Sequence, residues 1–147
     1  MIKINCSIDS AFNEINTGVV RNIAKHVIKS QKIKDADLTF VFTSDELLSE
    51  LKMEFFHKDQ LTDVIAFRLN DYKDKLVDGE VYISLPRAKE NSLEFDQPYE
   101  KELSRLIIHG CLHVLGYDDQ TSNEKKLMTS LEDEYLNKIS WNKIIEI

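Results

Sequence analysis

The chain has 147 residues, 42% hydrophobic and 31% charged, with only 4 Gly and 2 Pro, which excludes disordered, collagen-like and low-complexity classes and fits one domain spanning 1–147. Two cysteines, Cys6 and Cys111, are too few for a disulfide scaffold, and no apolar run approaches the ~20 residues that cross a bilayer. The net charge of −7 argues against a general nucleic-acid-coating surface, although residues 1–42 are slightly basic at +2 and the remainder carries −9.

No basic segment leads into an apolar stretch at the N-terminus, so no export signal is expected, and the setting expected is the cytoplasm without membrane association. Ile2, Ile4 and Cys6 alternate with polar residues and predict a short strand. After an Asn16-Thr17-Gly18 break, Val19, Val20, Ile23, Ala24, Val27 and Ile28 recur at helical spacing, with Arg21, Lys25, Lys29 and Lys32 forming the opposite stripe. The run from Leu38 to Thr43 predicts a second strand, followed by Ser44 as N-cap of a helix through Leu47, Leu48, Leu51 and Phe55 that stops around His57 to Gln60. Val64 to Leu69 and Glu80 to Leu85 predict two further strands, with Asn70 to Gly79 as a hairpin connection or short excursion.

Pro86 ends the last strand, and a short helix covers Arg87 to Glu94. Pro98 suits the first turn of a long helix in which Leu103, Ile107, Gly110 and Val114 face inward, and Gly116 is its expected left-handed stop. Thr121 and Glu124 match a capping box that opens a final helix with Leu127, Leu131 and Leu136 inward. The fold class expected is α+β: one domain, a small four-stranded sheet packed with about five helices, and the long helix at the centre.

That long helix carries the chemistry. His109 and His113 are four residues apart, so both imidazoles project from one helical face and can meet one ion. Past the turn at Gly116 the chain presents Asp118 and Asp119, and a helical pair plus one ligand from the following turn leaves a fourth position for water, as in catalytic zinc sites. An i,i+4 His pair also arises by chance, but the carboxylate after the Gly turn favours the metal reading. Gly110 stands where the H-E-x-x-H peptidase signature has its general base, which disfavours a zincin-type mechanism. Cys111 falls on the side away from the two histidines and is expected in the core.

The segment from His109 to Asp119, HGCLHVLGYDD, resembles the H-G-x-L-H-L-x-G-Y-D-H signature of the YbeY family of bacterial rRNA maturation factors, differing at Val114 and Asp119. His57-Lys58-Asp59 with Thr62 to Phe67 resembles the family's H-K-D-x-x-T-[DN]-V-L-S-F stretch, and Gly79 to Ser84 resembles G-D-I-x-I-S. The resemblance implies a single-strand-specific metallo-endoribonuclease acting in 16S rRNA 3′-end maturation and late ribosome quality control. It implies one zinc ion per chain held by His109, His113 and Asp119. The partners it implies are rRNA and the small ribosomal subunit, with ribosomal proteins or assembly GTPases as further ones.

Two departures from the family pattern bear on chemistry. Asp119 replaces the usual third His; a carboxylate is a competent zinc ligand, but it makes the ion less Lewis-acidic. Phe56 stands where the family commonly has an Arg, and a Phe cannot clamp a phosphate. Nearby substitutes are His57, Lys58 and Arg68, with Arg87 as a further candidate; each can equally be an ordinary surface charge. The catalytic base is left open. The stripe Arg21, Lys25, Lys29 and Lys32, extended by Lys34, reads either as an RNA-backbone contact or as a solvated helix face. Two rival functions stand beside the nuclease: a zinc-dependent amide hydrolase, and a non-catalytic ribosome assembly factor with a structural zinc.

Overall fold

The computed structural model describes residues 1–12 and 14–146. The elements in chain order are β1 (Ile2–Ile8), α1 (Thr17–Ser30), β2 (Asp35–Thr43), α2 (Asp45–Phe56), β3 (Val64–Arg68), β4 (Leu76–Ser84), α3 (Leu85–Glu94), α4 (Tyr99–Val114) and α5 (Ser122–Lys138). The strands form one mixed sheet in the order β1-β2-β4-β3. β1 pairs with β2 and β2 with β4 in parallel, whereas β3 and β4 form an antiparallel hairpin, so β3 is an edge strand. Among the described residues this is the expected α+β architecture of four strands and five helices.

Alternation on the strands sorts side chains between two faces. Ile4, Leu38, Phe40, Val77, Val81 and Ile83 point to the face covered by α1 and α4, and they join Val20, Ile23, Val27, Leu103, Ile107 and Leu112 in one core. Two glycines set how closely α4 lies on the sheet. A Cβ on Gly110 would stand 2.4 Å from Val81 Cγ1, and one on Gly79 would stand 2.6 Å from Val114 Cγ1 and 2.9 Å from the Phe67 carbonyl oxygen. Gly110 is therefore a packing residue, and any side chain there would drive into the sheet rather than toward the histidines.

Several boundaries differ from the sequence expectation. β4 begins at Leu76 rather than Glu80, because Asp78-Gly79 is not a turn: Asp78 pairs with Asp37 within the ladder, and Gly79 is the site of the Val114 contact. β2 starts at Asp35, three residues before the apolar run. Asn16 is not part of a break but caps α1, its Oδ1 accepting from the Val19 N–H at 3.3 Å. Ser44 precedes α2 without a side-chain capping bond, while Pro98 sits just before α4 rather than inside its first turn. Leu127 is 52% exposed, and the inward residues of α5 are Met128, Glu132, Tyr135 and Leu136. The buried stripe contains a carboxylate, which apolar periodicity alone does not anticipate.

Candidate metal centre

On α4, Gly110 and Val114 face the sheet, which turns His109 and His113 toward the outer edge of β3. α4 ends at Val114; Gly116, with φ of 109°, reverses the chain, a conformation that L side chains rarely adopt. The reversed loop is fixed by the Tyr117 hydroxyl, which donates to Gln31 Oε1 at 2.8 Å, and by Asp118 Oδ1, which accepts from the Asp119 N–H at 2.8 Å. Asp119 is thereby laid over both imidazoles. Its Oδ2 is 3.4 Å from His109 Nε2 and 3.4 Å from His113 Nε2, and one donor atom from each of the three residues lies within 4.8 Å of the others.

Those separations are long for hydrogen bonds but suit a shared ion. Ligand bonds of about 2.0–2.2 Å at tetrahedral angles put neighbouring donors about 3.3–3.5 Å apart. Two imidazoles and a carboxylate are also a donor set that zinc accepts. Burial opposes protonation of His109, but the hydrogen bond and charge of Glu132, with Asp119 and Asp63, outweigh it and raise its pKa.

The donors open into a cleft of about 350 Å³ that follows the outer edge of β3. Thr62 to Ala66 form its floor, His109, His113, Asp118, Asp119 and Gln120 one wall, and Lys52 and Phe56 of α2 the other. The phenyl rings of Phe55 and Phe56 pack on Phe67, with centroids 5.2 and 6.3 Å away, and the Lys52 ammonium lies 4.7 Å from the Phe56 ring centre. Ladder parity turns the Ala66 N–H to the open edge, since the bonded pairs Asp63/Ser84 and Leu69/Asp78 bracket it. Behind the floor, Asn91 Nδ2 donates to Asp63 Oδ2 at 2.9 Å and approaches Glu102 Oε2 at 3.5 Å. Burial, then the charge of Asp63, pushes the Glu102 carboxyl up to about 7.

Other sequence candidates lie elsewhere. His57 caps the C-terminus of α2 in a left-handed conformation, with φ of 55°, and Lys58 follows it; both are exposed and neither lines the cleft. The Arg68 guanidinium donates to Asn70 Oδ1, the Val114 carbonyl, the Asp71 carbonyl and the Leu76 carbonyl, which ties the end of α4 to the β3–β4 hairpin. Arg87 pairs with Asp45 at 2.9 Å and with Glu90, joining α3 to α2. Arg21 donates to the Ile4 carbonyl and to Thr17, whereas Lys29, Lys32 and Lys34 flank a shallow groove with Ile2 and Ile33 that is separate from the cleft. Cys111 is fully buried, and burial pushes its thiol up to about 12, so it is an inert core residue.

Residues that the motif reading did not single out complete the surroundings: Lys52 and Asp63 in the cleft, and Arg105 and Glu132 behind His109. The available signal for Glu132 was a charged residue at helical spacing among Met128, Tyr135 and Leu136, since carboxylates are rarely buried unless paired.

Comparison with known proteins gives a consistent picture. The family model described as Endoribonuclease YbeY matches residues 4–140. The Endoribonuclease YbeY of Flavobacterium psychrophilum is 37% identical over 137 residues, covering 92% of this chain and 94% of the relative. That of Karelsulcia muelleri is 41% identical over 100 residues, covering 68% and 70%. The solution structure of TM1509 from Thermotoga maritima superposes with a TM-score of 0.62 at 27% identity, covering 94% of this chain and 88% of that one.

Proposed function

The chain belongs to the YbeY endoribonuclease family, and from that premise we propose that it is a zinc-dependent hydrolase that cuts single-stranded RNA, acting in the cytoplasm on the 3′ end of 16S rRNA and in late ribosome quality control. Its partners on this reading are rRNA and the small ribosomal subunit, with ribosomal proteins or assembly GTPases as further contacts. The observation that carries it is the convergence of His109, His113 and Asp119 at one end of an open cleft.

A zinc ion held by those three residues would supply Lewis acidity toward a phosphoryl oxygen and acidify water at neutral pH. The protein's own contribution is positioning. The far wall of the cleft offers Lys52 for a phosphate and the Phe56 ring for a base. Phe56 thus contributes stacking at the position where the family's Arg would contribute charge. Asp63 and Asp118 are the cleft carboxylates outside the three-ligand set, and Asp63, held on one oxygen by Asn91, is the one assigned as proton acceptor. The edge of Arg21, Lys25, Lys29 and Lys32, exposed except at the half-buried Lys25, serves as an auxiliary backbone contact beyond the cleft.

The amide-hydrolase alternative loses ground to the packing of Gly110, because a Glu at that position would meet Val81 instead of the cleft. Zinc content and cleavage of single-stranded rRNA-like oligonucleotides in the wild type and in His113→Ala test the proposal. Loss of both is expected. Full zinc occupancy in the variant would remove the ligand assignment, and unchanged cleavage would remove the mechanism; rescue of rRNA processing by a folded, metal-free variant would favour a non-catalytic assembly role.

A further inference from the structure

α5 buries a charge that core packing does not call for. The Glu132 side chain is 7% exposed, and an ionised carboxylate at that depth is costly unless both oxygens are paired. Both are. Oε2 lies 2.6 Å from His109 Nδ1, and Oε1 accepts from Arg105 at 2.9 Å, while the other arm of the same guanidinium reaches Asp133 at 2.6 Å. Arg105 and His109 are one turn apart on α4, so a single helical face offers a cation and an imidazole to one carboxylate from α5.

An imidazole has two ring nitrogens, and a hydrogen bond that fixes the proton on one leaves the lone pair on the other. With Nδ1 donating to Glu132, a neutral His109 turns an unprotonated Nε2 toward Asp119 and His113. That is the tautomer a metal ligand needs. We propose that Glu132 is a positioning residue for the metal centre, presetting the tautomer and ring angle of His109, and that Arg105 holds Glu132 in place. This rests on the three-ligand reading above.

The arrangement is asymmetric: among the described residues, His113 has no protein partner on its Nδ1. Ring rotation of His109 is therefore restrained before an ion arrives, and the negative partner makes its Nε2 a stronger donor to a cation. In neutral His109 the Nδ1 proton stays in place when an ion takes Nε2. α5 contributes no ligand to the ion and acts on it only through His109.

The test uses the full chain, first metal-free and then titrated with zinc against a competing chelator. Ring ¹⁵N shifts, recorded above the pH at which His109 titrates, should report the Nδ1–H tautomer for His109 in the wild type. Glu132→Gln is nearly isosteric, but its amide cannot satisfy both His109 and Arg105 as the carboxylate does. It should lose that tautomer preference and bind zinc about 10–100-fold more weakly.

An Nε2–H His109 in the wild type would overturn the proposal, a result that does not depend on how any variant folds. So would unchanged zinc affinity in folded Glu132→Gln when His109→Ala abolishes it. Zinc affinity that survives His109→Ala would instead overturn the ligand assignment itself, which keeps the two failures distinct.

Discussion

At the scale of single residues, the position that most separates this chain from its family's usual pattern is Phe56. Its ring is 43% exposed, is backed by Phe67 and lines the same cleft as the two histidines. A phenyl ring contributes dispersion and stacking to any base, about 1–3 kcal/mol per stacked base, but no charge. Phe56→Ala should therefore raise KM for single-stranded oligonucleotides about 5–150-fold and leave kcat within a factor of two, as read by steady-state cleavage across a substrate series. A loss confined to kcat would place the ring at the reacting bond instead. The residue was legible in sequence only as the absence of an arginine, because its exposure and backing depend on where β3 runs.

At the scale of elements, α4 is the part that sequence described best and the part whose tolerance is narrowest. The spacing of Leu103, Ile107, Gly110 and Val114 predicted the buried face, and all four are buried. Sequence could read Gly110 only as a missing general base; the close approach of α4 to Val81 makes it a packing requirement. Gly110→Ala gains about 1 kcal/mol of helix propensity but places a methyl 2.4 Å from Val81 Cγ1. The overlap should dominate, for a net loss of about 1–3 kcal/mol in urea unfolding, and crowding at the adjacent His109 should also weaken zinc binding. α5 shows the converse. Its capping box was read correctly, with Thr121 and Glu124 exchanging both bonds, yet its inward face was misassigned at Leu127 because Glu132 is buried through partners on another helix.

At the scale of the whole molecule, the buried ionisable groups couple folding to pH. Glu102 carries a carboxyl pushed up to about 7 in the folded chain by burial and by Asp63, while Arg105 and Asn91 oppose that shift. The folded state binds this proton more tightly than the unfolded one, so its stabilisation is full below the ordinary carboxylate range and is lost as pH rises through about 7. His109, also raised, works in the same direction in metal-free protein. Comparing metal-free wild type with Glu102→Gln isolates the carboxyl: the variant should gain about 2–3 kcal/mol relative to wild type between pH 5 and 8. Equal pH dependence of the two urea-unfolding curves would show that Glu102 titrates normally. The net charge of −7 acts at this scale too, restricting RNA contacts to local groups, which makes binding sensitive to salt.

The sequence by itself determined the class of fold, the order of its strands and helices, and the identity of the motif, because these depend on local periodicity, capping and spacing along the chain. His109 and His113 share a face simply because a helix turns every 3.6 residues. Tertiary structure alone decided what lies opposite that face. The edge position of β3 opens the cleft, the left-handed Gly116 returns Asp119 over the imidazoles, and α5 brings Glu132 to the far nitrogen of His109. Each of these joins residues distant in sequence through the packing of separate elements, and a buried charge such as Glu132 can be understood only once the groups that neutralise it are seen around it.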